Sequence, residues 1–256
     1  MHARQLDLCA LITERPHLPP LGALGPAVIG TWHGRMVNEW MSSFVFDGLA
    51  RQLEALGMHE DARQARAFAE EERRHGVRCA SVVEAAGGEA TAVVAAPRVV
   101  PEHRDTTARA AMLRNVISIC CLSETVAVAL IGAERLLMPE GELRVLLTEI
   151  WADEVGHARY GWALLDRLLP VLDASEHDAV VRYLPHALRH LSAHELAHLP
   201  IGSEPPIEGA TFGVCSGRDA RALFADTVRE VIVPELEARG LRVNGWTLEA
   251  SEREAA

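Results

Sequence analysis

Two segments of this chain carry an acid followed by Glu-x-x-His: Glu71-Glu72-Arg73-Arg74-His75 and Asp153-Glu154-Val155-Gly156-His157. Residues three apart lie on one face of a helix, so each Glu and His pair can hold a metal ion. One copy says little, because both residue types are common on solvated helix faces. The run from Val116 to Ala133 adds a further donor. It reads VISICCLSETVAVALIGA, apolar all round, with Glu124 as its only charge. Such a helix is buried on most sides, and an unpaired buried carboxylate is strongly disfavoured. Glu124 is therefore neutralised, bound to a metal or paired with an arginine.

The elements that must position these groups read as helices. Trp32, Met36, Trp40, Phe44, Leu49, Leu53 and Leu56 recur at helical spacing between Val28 and Gly57. A second helical pattern runs from His59 to Ala86 and stops at Gly87-Gly88, and the short hinge makes the two antiparallel neighbours. Residues Gly88 to Asp105, with Pro97 and Pro101, read as an extended connector. A third helix is expected over Thr106 to Leu137 and a fourth over Glu142 to Leu169, turned at Pro139 to Gly141. A fifth follows Ser175, kinked or restarted at Pro185 and ended by Pro200. A sixth covers about Arg218 to Arg239. Residues 1–27 hold a short helix at most, then a Pro/Gly-rich approach that breaks regular structure.

Depth from each hairpin turn groups the donors. Glu39 lies 18 residues before Gly57, while Glu72 and His75 lie 15 and 18 after it. Counted from the Pro139-Glu140 turn, Glu124 lies about 15 before, and Glu154 and His157 about 14 and 17 after. At about 1.5 Å of rise per residue, all six fall in a layer of roughly 6 Å. Asp47, the other acid of the first helix, misses by about 10 Å.

One Glu from each of two helices and a Glu-x-x-His from each of two others, joined as short turn, long crossover, short turn, resembles the ferritin-like di-iron carboxylate superfamily. The resemblance covers residues 28–169. It implies an all-α fold with a four-helix bundle over 28–169, an N-terminal extension over 1–27 and a helical extension over 170–256 packing on the bundle. It further implies two iron ions, or iron with manganese, bridged by Glu72 and Glu154; Glu39 and His75 complete one position and Glu124 and His157 the other. Four carboxylates balance two divalent cations, and two imidazoles suit iron or manganese. Glu71 and Asp153 are candidates to accept a hydrogen bond from a ligand His, or else are surface acids.

The paired Glu-x-x-His motifs are more similar to those of the oxidases, oxygenases and rubrerythrins of that superfamily than to storage ferritins. Paired CxxC, common in rubrerythrins, is absent. Gly156 stands where di-iron oxygenases often have Arg, and Ile150 where N-oxygenases have an extra His. The expected activity is O2-dependent oxidation of a small organic substrate, with an external electron donor and a homo-oligomer left open. The alternatives are a ferroxidase or peroxide-consuming protein without organic substrate, and a metal-binding structural or cargo protein.

A rival motif, His194-Glu195-Leu196-Ala197-His198, matches the HExxH helix of zinc peptidases. Neither an HxxGxxH continuation nor a neighbouring sheet is expected. His186, His190, His194 and His198 recur every four residues as a stripe, read as a polar face, a second metal site or a cavity lining. Tyr160 is read as packing or as a redox tyrosine, and Trp32 and Phe46 as walls of the core or of a substrate channel.

Composition agrees with this class. Nearly half the residues are hydrophobic, with only five Phe and two Tyr, which favours helix over sheet. A net charge of −11 repels nucleic acid and anionic membranes. Five cysteines without CxxC, and no apolar leader, suit a soluble cytoplasmic protein.

Overall fold

The computed structural model of the chain describes residues 4–95, 100–199 and 204–248, so Pro97 and Pro200 lie outside the described residues. The described chain is all-α apart from one pair of short strands. It divides into two compact units, one of Met1–Val100, Glu134–Ile150 and Pro205–Cys215, the other of Pro101–Ala133, Trp151–Glu204 and Ser216–Ala256.

In the first unit, α1 (Gly25–Ala55) and α2 (His59–Ala85) pack along their length. Helix α1 starts three residues earlier than expected because Pro26 sits in its first turn, where a fixed φ and a missing N–H are tolerated. Gly57, at φ 72°, closes the hinge. Its N–H donates to Glu54 O, and that of Met58 to Leu53 O, both at 3.0 Å, in the manner of helix C-caps. Trp32, Met36, Phe46, Leu49 and Leu53 of α1 and Ala62, Ala65, Phe68, Ala69, Cys79 and Val82 of α2 are buried, with the Phe46 and Phe68 rings edge to face at 5.5 Å. Each large side chain so buried contributes about 1.5–3 kcal/mol. The small residues of α2 allow close approach. At Gly76 a Cβ would lie 3.3 Å from Trp40. Trp32 is thus a core wall, its indole N–H donating to Phe212 O at 2.7 Å.

The N-terminal segment corrects the expected short helix. Arg4–Asp7 is a strand, β1, pairing antiparallel with β2 (Thr91–Val94), and a single 3-10 turn follows at Cys9–Leu11. Ladder bonds to a distant partner decide this, and local periodicity does not report them.

The second unit holds α3 (Ala108–Val116), N-capped by Thr107, whose Oγ1 accepts from Ala110 N at 3.2 Å. The single third helix expected is interrupted by a π-helical turn, Ile117–Ser123, before α4 (Glu124–Leu137). Next come α5 (Glu142–Leu168), of which the part up to Ile150, like the end of α4 from Glu134, belongs to the first unit, and α6 (Ala174–His198). Helix α6 runs unbroken through Pro185, so of the kink or restart expected there the restart does not occur. It opens with a capping box in which Asp173 accepts from Glu176 N at 2.8 Å and Glu176 accepts from Asp173 N at 3.1 Å. It docks on α3, where Arg114 donates to Ala179 O at 2.8 Å and Ser118 and Tyr183 share a 3.0 Å hydrogen bond. The expected sixth helix is α7 (Gly217–Thr227), a π turn (Val228–Ile232) and α8 (Val233–Ala238). Pro234 explains the break, since its ring displaces the carbonyl four residues back.

Among the described residues one helical run, Ala108–Leu137, is long and apolar enough to cross a membrane by length and composition, and half of its most apolar window is buried.

Candidate metal centre

Each unit brings together one carboxylate, carboxylate and imidazole triad. In the first, α1 supplies Glu39 and α2 supplies Glu72 and His75, all buried. Their ligand atoms lie within 4.8 Å of one another, and His75 Nδ1 is 3.5 Å from Glu39 Oε2. Glu39 and His75 were counted at equal depth from Gly57, and the antiparallel hairpin makes them meet. Asp47, counted as out of reach, is paired instead with Arg73.

In the second unit, α4 supplies Glu124 at its first residue and α5 supplies Glu154 and His157, again all buried. Their ligand atoms also lie within 4.8 Å of one another. His157 Nδ1 is 3.0 Å from Glu154 Oε2 and 3.6 Å from Glu124 Oε2. In both triads, then, it is Nδ1 that faces the carboxylates. Burial, followed by the charge of Glu154, pushes the Glu124 carboxyl up to about 8, and His157 opposes the rise. Within this unit the charged groups that act most on Glu124 are Glu154 and His157.

The donor set fits a cation. Two carboxylates gathered out of water repel each other until a positive charge lies between them, and the imidazole beside them adds a neutral donor for it. These buried Glu and His groups can hold a metal ion. Oxygen and imidazole donors without thiolate suit manganese, iron or zinc, and their presence alone does not select iron.

Sequence reasoning missed the device that sets Glu124. The π turn ends at the residue before it, and turns of this kind recur at functional sites. Ser123 Oγ donates to Ser118 O, five residues back, at 3.2 Å. Opposite stands Gly161, one turn after His157. A Cβ there would lie 2.9 Å from the Cys120 carbonyl carbon and closer still to its Cβ. A glycine inside a helix is unfavourable by about 1 kcal/mol relative to alanine, and that is the signal by which the close approach was detectable.

The other residues singled out fall as follows. Glu71 is half-buried and lies 3.6 Å from Arg74; Asp153 is half-buried. Ile150 is buried and apolar, and a Cβ at Gly156 would meet open space. Tyr160 is half-buried. His194 and His198 occupy the end of α6, with His198 exposed, and belong to neither triad. No family model, curated protein or solved structure matches the chain.

Proposed function

We propose that the two triads would hold two iron ions, Glu39, Glu72 and His75 at one position and Glu124, Glu154 and His157 at the other, in an oxidoreductase that uses O2 to oxidise a small organic substrate. The observation that carries this reading is that each Glu-x-x-His motif is completed by a further buried carboxylate, Glu39 in one case and Glu124 in the other. Two chance motifs would not each acquire a third donor of the same type from another helix. Four carboxylates and two imidazoles balance two divalent ions, and the ferritin-like resemblance assigns that stoichiometry.

When bound, a pair of iron ions supplies electrons and open coordination positions for O2. The chain does the rest. Nδ1 of His75 and of His157 would hold the ions as the neutral imidazole, so loading would release any proton held there and strengthen as pH rises. Glu124 carries a proton at neutral pH in the metal-free chain, since its carboxyl is held up to about 8. An ion held there would displace that proton too. Glu124, Glu154 and His157 are buried, and the lowered access of water strengthens each charge interaction among them.

Anaerobic Fe(II) titration tests the centre: about two ions per chain are expected, falling in both Glu39→Ala and Glu124→Ala. Retention of a single Zn(II) after Glu124→Ala overturns it. Admitting O2 then tests the activity. Consumption that stops after the bound iron is oxidised, and resumes with a reductant and an organic substrate, fits the proposal. Continued oxidation of added Fe(II) with mineral growth assigns iron handling instead.

A further inference from the structure

The histidine stripe of α6 plays no part in the triads. His190 and His194 stack, with ring centroids 6.5 Å apart and 26° between planes, and the His194 and His198 rings are closer, at 4.6 Å. His186 turns instead toward Tyr183, at 5.6 Å. His198 Nδ1 lies 2.7 Å from the backbone carbonyl of His194. A carbonyl only accepts, so Nδ1 carries the proton of the neutral ring and Nε2 keeps its lone pair for an ion. A backbone carbonyl holding the far ring nitrogen is the usual way in which a ligand imidazole is oriented.

The position suits a cation on two further grounds. His198 is the last residue of α6, where the carbonyl end of a helix favours positive charge. The chain as a whole carries −11, a field that draws cations in. Glu195, between the two rings in sequence, falls instead in line with the buried Leu184, Leu188 and Leu191 at helical spacing, and it is not on the histidine stripe.

We propose that His194 and His198 chelate one borderline divalent cation, of the nickel, copper or zinc class, at the C-terminal turn of α6, with water in the remaining positions. Two neutral imidazoles one helical turn apart suit these ions, whereas calcium and magnesium take oxygen ligands. The site is a binding site independent of the buried triads and does not require them to hold iron.

Equilibrium dialysis of the full chain against Ni(II) tests this, with His194→Ala, His198→Ala and His186→Ala as the comparison. Wild type and His186→Ala are expected to bind one more Ni(II) per chain than either of the other variants. Because His198 is exposed and His194 half-buried, metal-free melting temperatures should agree among all four, which separates loss of the site from loss of fold. Equal nickel counts in wild type and His194→Ala overturn the proposal. So does a loss caused by His186→Ala and not by His198→Ala, which would place the ion elsewhere on the stripe.

Discussion

Replacing Glu124 by Gln in the metal-free chain separates a metal ligand from a structural carboxylate. In the folded chain the Glu124 carboxyl titrates near 8, raised first by burial and then by Glu154; unfolded, it titrates at its ordinary value of about 4.3–4.5. Between those two pH values the folded state binds more protons than the unfolded state, so stability must fall as pH rises. Carried over that whole range, the loss is about 5 kcal/mol. Glu124 and Glu154 titrate as a pair, so a loss of about 2–5 kcal/mol between pH 5 and pH 8 is expected. In a chain of this size that lowers the melting temperature by about 4–20 °C. Gln keeps the shape and cannot ionise, so the variant should lack this slope and be the more stable of the two metal-free chains at pH 8. Melting both chains at several pH values and subtracting the curves cancels every group that the substitution leaves alone. With Fe(II) present the order should reverse, because wild type gains stability by binding the ion and the variant binds it poorly. A variant less stable than wild type at pH 8 by about 3 kcal/mol or more, with its iron content unchanged, would place Glu124 in a structural ion pair and refute the reasoning.

Gly161→Ala should destabilise the chain by about 1–3 kcal/mol through overpacking against Cys120, and should weaken the ion held by Glu124 and His157 more than the one held by Glu39 and His75; calorimetric Fe(II) titration of the variant reads both. Glu176 is buried with Thr107 at 2.7 Å and Arg109 at 2.5 Å, and these partners hold its carboxyl down at about 2. Its contribution is present above the ordinary carboxylate pKa and is lost as pH falls toward 2, so wild type should lose stability over that acid range while Glu176→Gln, weaker by about 1–3 kcal/mol at pH 7, loses less. His194→Ala with His198→Ala should leave the iron content of the triads unchanged, and peptidase activity abolished by that pair of changes would restore the zinc-peptidase reading.

The donors were legible because the two hairpin turns are short and α1, α2 and α5 are regular. Counting from Gly57 was enough to bring Glu39 to within 3.5 Å of His75, and counting from Pro139-Glu140 brought Glu124 to within 3.6 Å of His157. The count tolerated the π turn because it lies beyond Glu124, on the side away from the hairpin. That turn itself was not legible. Ile117-Ser-Ile-Cys-Cys-Leu-Ser123 contains neither Gly nor Pro, and the widening accompanies tertiary features: the bare backbone of Gly161 against Cys120, and Tyr183 on Ser118. β1 was missed for a similar reason, since its partner lies in the connector beyond α2. Pro26 was read as part of a stretch that breaks regular structure and Pro185 as a kink or restart, yet one occupies a first turn and the other is carried inside α6.

A charge argument links the apolar sequence of α4 to the metal reading. Glu124 interrupts a run in which no neighbouring residue can neutralise it, and the groups that reach it within its unit are a second acid and an imidazole. An imidazole shared between two carboxylates leaves the triad with net negative charge whenever both acids ionise. Burial first, and that excess second, hold the Glu124 carboxyl up to about 8, so the chain alone keeps a proton there. A divalent ion meets the excess more completely, since it replaces both the proton on Glu124 and any proton on Nδ1 of His157, and turns mutual repulsion into shared attraction. The first triad has the same composition of two acids and one imidazole. The apolar run from Val116 to Ala133 thus carries its single acid at the depth where two further donors on α5 converge on it.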